Sequence, residues 1–300
     1  MVLAVIDRSE NGIELNSSSV TAKNLEAESE FHEKRHPLRV GILSLLGGQG
    51  KTTISLLLGI QLINLGYRVL WVDVDPAGTL SDYLNEGSDI NISLADVLQK
   101  NNISSAIVTT RFSNGFLVSS SQRLSQINQY LADSGISTAI LRKKLRELDN
   151  SDLDFIIIDP PPNQNHLSLC AMGATDICII PVETTAKGAS GLFQTLGYLD
   201  DYRNLGAFHG TILGIVPFRE RWFGNSMAID SKQSKQNIIN IAESVNLKIF
   251  PSIIESEAYK KAIVNLTVPS RFGHEELDYP LKMISSEIFH SFPYIQKVVK

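Results

Sequence analysis

Cysteine is nearly absent from this 300-residue chain, and the two that occur, Cys170 and Cys178, both fall in the apolar stretch 167–181. Two such thiols cannot supply a disulfide framework or a four-ligand metal site, and their setting suits buried, reduced side chains in a reducing cytosol. Long apolar runs are missing as well. None approaches the roughly 20 residues that a spanning helix needs, and the apolar start Val2 to Ile6 is closed by Asp7 with no basic region before it, which argues against a secretory leader. Nor is there a large excess of one charge. Twenty-seven basic residues stand against 32 acidic ones, a formal net charge of −5, so contact with nucleic acid would need a local basic patch. What is present, 43% hydrophobic and 20% charged residues, provides for a large core and excludes disorder, collagen and coiled coil as descriptions of the whole chain.

Residues 1–36 are polar and acidic, with seven carboxylates against four basic side chains, and read as an N-terminal tail or flap ahead of one domain over 37–300. From Leu38 the texture changes. Leu38 to Ser44 has the pattern of a buried strand, runs into glycines, and gives way to a helical pattern over 53–65. Strands are expected at 68–74, 115–119, 155–159, 177–181, 210–216 and 248–250. Helices are expected at 94–99, in two stretches over 122–148, at 186–203 and 230–245, and at the C-terminus. Alternation of this kind predicts an α/β fold, a mostly parallel sheet with helices on both faces in a three-layer sandwich.

Between the first strand and helix stands Gly47-Gly48-Gln49-Gly50-Lys51-Thr52-Thr53, the context a phosphate-binding loop requires. Glycines let backbone N–H groups turn toward phosphate oxygens, Lys51 can reach the β/γ-phosphates, and the Thr52 hydroxyl can ligate Mg²⁺. The strict pattern G-x-x-x-x-G-K-[ST] fails at its first position, where Leu45 stands. Two further strands end in carboxylates, at Asp73-Val74-Asp75-Pro76 and at Asp159-Pro160-Pro161-Pro162. That is the edge at which open α/β sheets bind ligands. Asp159 is expected to hold Mg²⁺ through a water, and Asp73 or Asp75 to orient the attacking water.

These motifs resemble those of the ParA/MinD family of deviant Walker ATPases within the P-loop NTPases, and its ParA branch in particular. Residues 47–53 resemble the family's K-G-G-x-G-K-T-T Walker A box, 73–78 its D-x-D-P-Q-G switch I, and 158–162 its I-D-x-P-P switch II. Residues 181–183 resemble the loop after the next strand, and 214–217 a strand end that contacts the nucleobase, which would put Pro217 near adenine. The resemblance implies that ATP joins two subunits into a sandwich homodimer that binds nucleoid DNA nonspecifically. A ParB-like or adaptor protein would then stimulate slow hydrolysis, so that a plasmid, chromosome region or protein cargo is positioned by a cytoplasmic, nucleoid-associated cycle. By the same mapping Lys51 and Thr52 bind phosphate and Mg²⁺, Asp75 promotes hydrolysis, and Asp159 belongs to the metal's shell.

One departure stands out. The family's signature lysine, four residues before the loop's last glycine, is Leu46 here, as in some cargo-positioning members of the family, including those that position carboxysomes. A unit charge about 4 Å from a phosphate oxygen contributes about 4 kcal/mol at an effective dielectric of 20, so another cation should substitute, and Lys187 in 181–188 is the candidate. Basic residues lean toward the C-terminal part, where Arg219, Arg221, Lys260, Lys261 and Arg271 are candidate DNA contacts. Two alternatives are a nucleotide-binding scaffold with little turnover, motivated by Leu46, and a MinD-like membrane-cycling ATPase. The latter would use Ile288, Phe289, Phe292 and Ile295 as an amphipathic anchor; Pro293 interrupts that pattern, and no membrane partner is expected.

Overall fold

Short runs of branched apolar residues become central strands where helices can cover both of their faces, and the chain supplies several in succession. The computed structural model describes residues 36–296 apart from 86, 88 and 89, so the expected tail lies outside the described residues except for His36. The strands are β1 (Leu38–Ile42), β2 (Val69–Asp73), β3 (Ile107–Thr109), β4 (Gly115–Val118), β5 (Phe155–Asp159), β6 (Ile177–Glu183), β7 (Thr211–Glu220), β8 (Trp222–Phe223), β9 (Ser226–Met227) and β10 (Ile253–Ile254). The α-helices are α1 (Lys51–Asn64), α2 (Thr79–Leu84), α3 (Leu94–Gln99), α4 (Leu124–Ser134), α5 (Ser137–Leu145), α6 (His166–Ala174), α7 (Ala186–Asn204), α8 (Ile229–Ser244), α9 (Glu257–Val264) and α10 (Tyr279–Ser291).

Eight strands form one sheet in the order β10-β7-β6-β1-β5-β2-β4-β3. All neighbours are parallel except β3, which runs antiparallel to β4 at the edge. Side-chain alternation divides each central strand between two cores. Val69, Trp71, Phe155 and Ile157 pack with α1, α2, α9 and α10 on one face. Leu70, Val72, Ile156 and Ile158 pack with α3 to α6 on the other, where Cys178, Ile180 and Ile215 meet α7 and α8. The three-layer α/β expectation holds. Cys170 and Cys178 are free and buried.

Some boundaries move. Strand β7 continues past the expected Val216 to Glu220 because β6 pairs with it as far as Phe218 and β10 joins beyond. The expected strand at 248–250 is a single bridge between Ile215 and Ile249. Helices α2 and α6, the edge strands β3 and β10 and the β8–β9 hairpin are elements that were not expected.

Candidate nucleotide-binding and hydrolysis site

The C-terminal ends of β1, β2, β5 and β6 bring the motifs to one edge. The loop after β1 turns through Gly48 (φ 81°) and Gly50 (φ 96°) into α1, a left-handed conformation that a Cβ would strain. At Gly50 a Cβ would also stand 2.7 Å from the Phe218 ring, so β7 supports the loop from beneath. Gly47 and Gly48 are exposed and Gln49 is buried. Gln49 Oε1 accepts the Glu183 N–H at 2.9 Å, tying the loop to the end of β6.

Lys51 is buried at the start of α1 and donates from Nζ to the Leu46 carbonyl at 3.1 Å. Burial pulls its ammonium below the ordinary lysine value, while Asp159 and Asp75 oppose that shift. Thr52 Oγ1 donates to Asp159 Oδ2 at 2.8 Å, and Ser55, one turn further along α1, donates to Asp159 Oδ1 at 2.9 Å. Burial raises the Asp159 pKa to about 6 against those hydrogen bonds and Lys51; Asp75 pushes it the same way as burial. A hydroxyl beside an oxygen-only, mutually repelling carboxylate pair suits a hard divalent cation, so Thr52 and Asp159 fit Mg²⁺ chemistry. Among the described residues no group of three or more His, Cys, Asp or Glu could hold a metal unaided. Water and phosphate oxygens would have to complete such a shell.

The two aspartates after β2 have different surroundings. Asp73 is fully buried and accepts from Ser81 N and Oγ at 2.8 and 2.7 Å, and from Asp75 N at 3.2 Å. Burial, with Asp159 adding to it, raises its pKa to about 7. Asp75 is half-buried, its carboxylate accepts the Ala77 N–H at 3.0 Å, and its carbonyl accepts from Ser120 Oγ. Asp73 therefore frames the turn, and Asp75 is the aspartate with access to the edge. Sequence reading singled out none of Ser55, Ser81, Ser120 or Phe218; only Ser55 left a signal, the three-residue spacing from Thr52 that puts both on one helix face.

Leu46 does not reach outward: it lies against Gly191 of α7. Lys187 is exposed as the second residue of α7, whose N-cap Thr185 accepts from Gly188 N, and has no ion-pair partner among the described residues. Thr53 is half-buried in α1. Pro217, expected at a strand end, is buried inside β7 opposite Val182. Three of the five candidate DNA contacts already face acids: Arg219 pairs with Glu183 at 3.5 Å, Arg221 with Asp230, and Lys260 with Glu257 at 2.7 Å. Lys261 and Arg271 are exposed without such partners among the described residues.

A family model described as an AAA domain matches residues 40–205. The chain is 37% identical over 251 residues to the maintenance of carboxysome distribution protein A of Gloeothece citriformis, covering 82% of this chain and 95% of that protein. With the sporulation initiation inhibitor protein Soj of Bacillus subtilis it shares 33% identity over 159 residues, 52% of this chain and 62% of Soj. Among solved structures, an ATP complex of a Cyanothece McdA variant matches with a TM-score of 0.81 at 34% identity, covering 89% of this chain and 100% of that one. The Pyrococcus furiosus cell division ATPase MinD shares the fold, with a TM-score of 0.65 at 20% identity over 85% of this chain and 99% of its own.

Proposed function

Because the chain belongs to the ParA/MinD family of P-loop ATPases, we propose that ATP and Mg²⁺ at the 47–53 loop join two copies into a dimer that binds DNA without sequence preference. The dimer positions a protein cargo of the carboxysome kind over the nucleoid, and an adaptor protein stimulates its slow hydrolysis. The cargo class rests on the two carboxysome distribution relatives, each 37% identical over more than four-fifths of this chain.

The observation that carries the ATPase reading is the pair of Thr52 and Ser55 hydroxyls on buried Asp159, beside a lysine folded onto its own loop. In this reading Lys51 turns from the Leu46 carbonyl to phosphate oxygens, the 47–50 backbone cradles them, and Asp75 orients the attacking water. Mg²⁺, held by Thr52 and through water by Asp159, supplies charge neutralisation at the phosphates. Lys187 supplies the cation that Leu46 cannot, at a helix start where the dipole gives a lysine nothing.

Support for the membrane alternative is reduced by the C-terminal helix. Ile284, Ile288 and Ile295 are buried, and Phe289 and Phe292 pack against the same core; no described helix is long and apolar enough to cross a membrane. Light scattering in ATP tests the proposal. Asp75→Ala should accumulate dimer, Asp75→Ala with Lys187→Ala should not, and Lys51→Ala should lose nucleotide binding by calorimetry. Wild-type affinity after Lys51→Ala would refute the site, and equal dimer populations would remove Lys187. Turnover too low to rise with DNA and adaptor would favour the scaffold.

A further inference from the structure

Helix α7 grips the phosphate loop at successive positions along one face. The Leu45 backbone N–H donates to Thr195 Oγ1 at 3.2 Å, and that hydroxyl donates to the Gly191 carbonyl at 2.8 Å. Leu46 lies so close to Gly191 that a Cβ there would stand 2.2 Å from Leu46 Cδ1. A Cβ on Gly188 would stand 3.2 Å from Gln49 Oε1. Positions 188, 191 and 195 share a helix face, and Thr195 is 2% exposed. From the other side, the Leu45 carbonyl accepts the Asn163 N–H at 2.8 Å, in the segment after β5. Leu45 is therefore held at both ends, and the next carbonyl, that of Leu46, is the one that holds Lys51.

We infer that Thr195 is a positioning residue for ATP: its hydroxyl, seated by Gly191, fixes the Leu45–Leu46 backbone and through it the 47–50 segment that would cradle the phosphates. The inference rests on the ATP reading of the loop. Without the hydroxyl the Leu45 N–H is left buried and unpaired, a state that costs more than the bond itself contributes. The loop then moves to rehydrate, and the Leu46 carbonyl moves with it. Loop N–H groups displaced in this way are no longer pre-set toward phosphate oxygens. The same helix carries Lys187 two turns earlier, so one rigid element positions the loop and presents the candidate dimer cation.

Thr195→Val keeps the shape and removes the hydroxyl; Thr195→Ser keeps the hydroxyl. Using the full chain with a fluorescent ATP analogue and steady-state hydrolysis, Thr195→Val should raise Kd and KM about fivefold while kcat stays within about twofold, and Thr195→Ser should recover most of the loss. A Thr195→Val protein with wild-type Kd, a lowered kcat at unchanged KM, or a Thr195→Ser protein as impaired as Thr195→Val would each overturn the inference. Should Thr195→Val fail to fold, Gly191→Ala serves: it should weaken ATP binding, and Leu46→Ala in the same chain should relieve it. Absence of that relief also overturns the inference. Lys51→Ala run in parallel separates the two levels. Its loss of binding alongside an unaffected Thr195→Val removes Thr195 alone, whereas wild-type affinity in Lys51→Ala removes the ATP reading and this inference with it.

Discussion

Asp73 and Asp75 stand two residues apart, and their chemistry is set by what surrounds each rather than by the motif they share. Asp73 accepts two hydrogen bonds from Ser81 and one from the Asp75 backbone in full burial, so Asp73→Ala should lower stability by about 1–3 kcal/mol at pH 6. Its pKa, raised to about 7 by burial and then by Asp159, fixes the sign of the pH dependence. The folded state holds a proton that the unfolded state releases near the ordinary carboxylate value, so this stabilisation is complete below about pH 4 and is lost as pH rises to about 7, above which both states are ionised. Urea melts should find the gap between wild type and Asp73→Ala narrowing from about pH 4 to about pH 7. Asp75→Ala should leave stability nearly unchanged, retain ATP, and abolish phosphate release. Gly50→Ala combines a left-handed φ with a clash against Phe218. Calorimetry should register its loss of nucleotide affinity.

The C-terminal helix α10 illustrates how an element's role follows from what it covers. Its sequence mixes apolar and basic residues as a membrane anchor would, yet Leu281, Ile284 and Ile288 fill the core against α1 and the sheet. Ile288→Ala should therefore cost about 2–5 kcal/mol in a denaturant melt. Co-sedimentation with anionic vesicles should be absent with or without ATP; ATP-dependent vesicle binding would return this segment to a membrane role. The β8–β9 hairpin behaves differently. The Arg221–Asp230 pair and the Trp222 Nε1 bond to Glu220 at 2.9 Å brace it, while Phe223 remains 76% exposed at the sheet's nucleotide edge.

For the whole molecule, the formal charge is −5, so in the proposed DNA-binding cycle two copies would have to pool their basic residues. DNA affinity should accordingly require ATP, ignore sequence, and fall steeply with salt, with a log–log slope set by the few phosphates each copy contacts. Lys261→Glu should weaken binding more than Lys260→Glu, because Lys260 is already engaged by Glu257. ATP affinity should be unchanged in both. Filter binding across a salt series checks this, and equal DNA affinity with and without nucleotide would contradict the pooled patch.

The parallel three-layer fold and the convergence of residues 47–53, Asp75 and Asp159 on one edge were legible in the sequence. Strand composition, strand-to-helix alternation and motif spacing are local properties, and a parallel sheet sends every strand's C-terminal end to the same side. The extension of β7 that buries Pro217 was not legible, because pairing with β6 and β10 decides a strand's length. Nor were the enclosure of Asp73 by Ser81, the ion pairs of Arg219, Arg221 and Lys260, or the grip of Thr195 on Leu45, 150 residues away. Each depends on which distant side chain fills the space beside a group, and burial and partner, properties of the assembled layers alone, then determine charge, access and position.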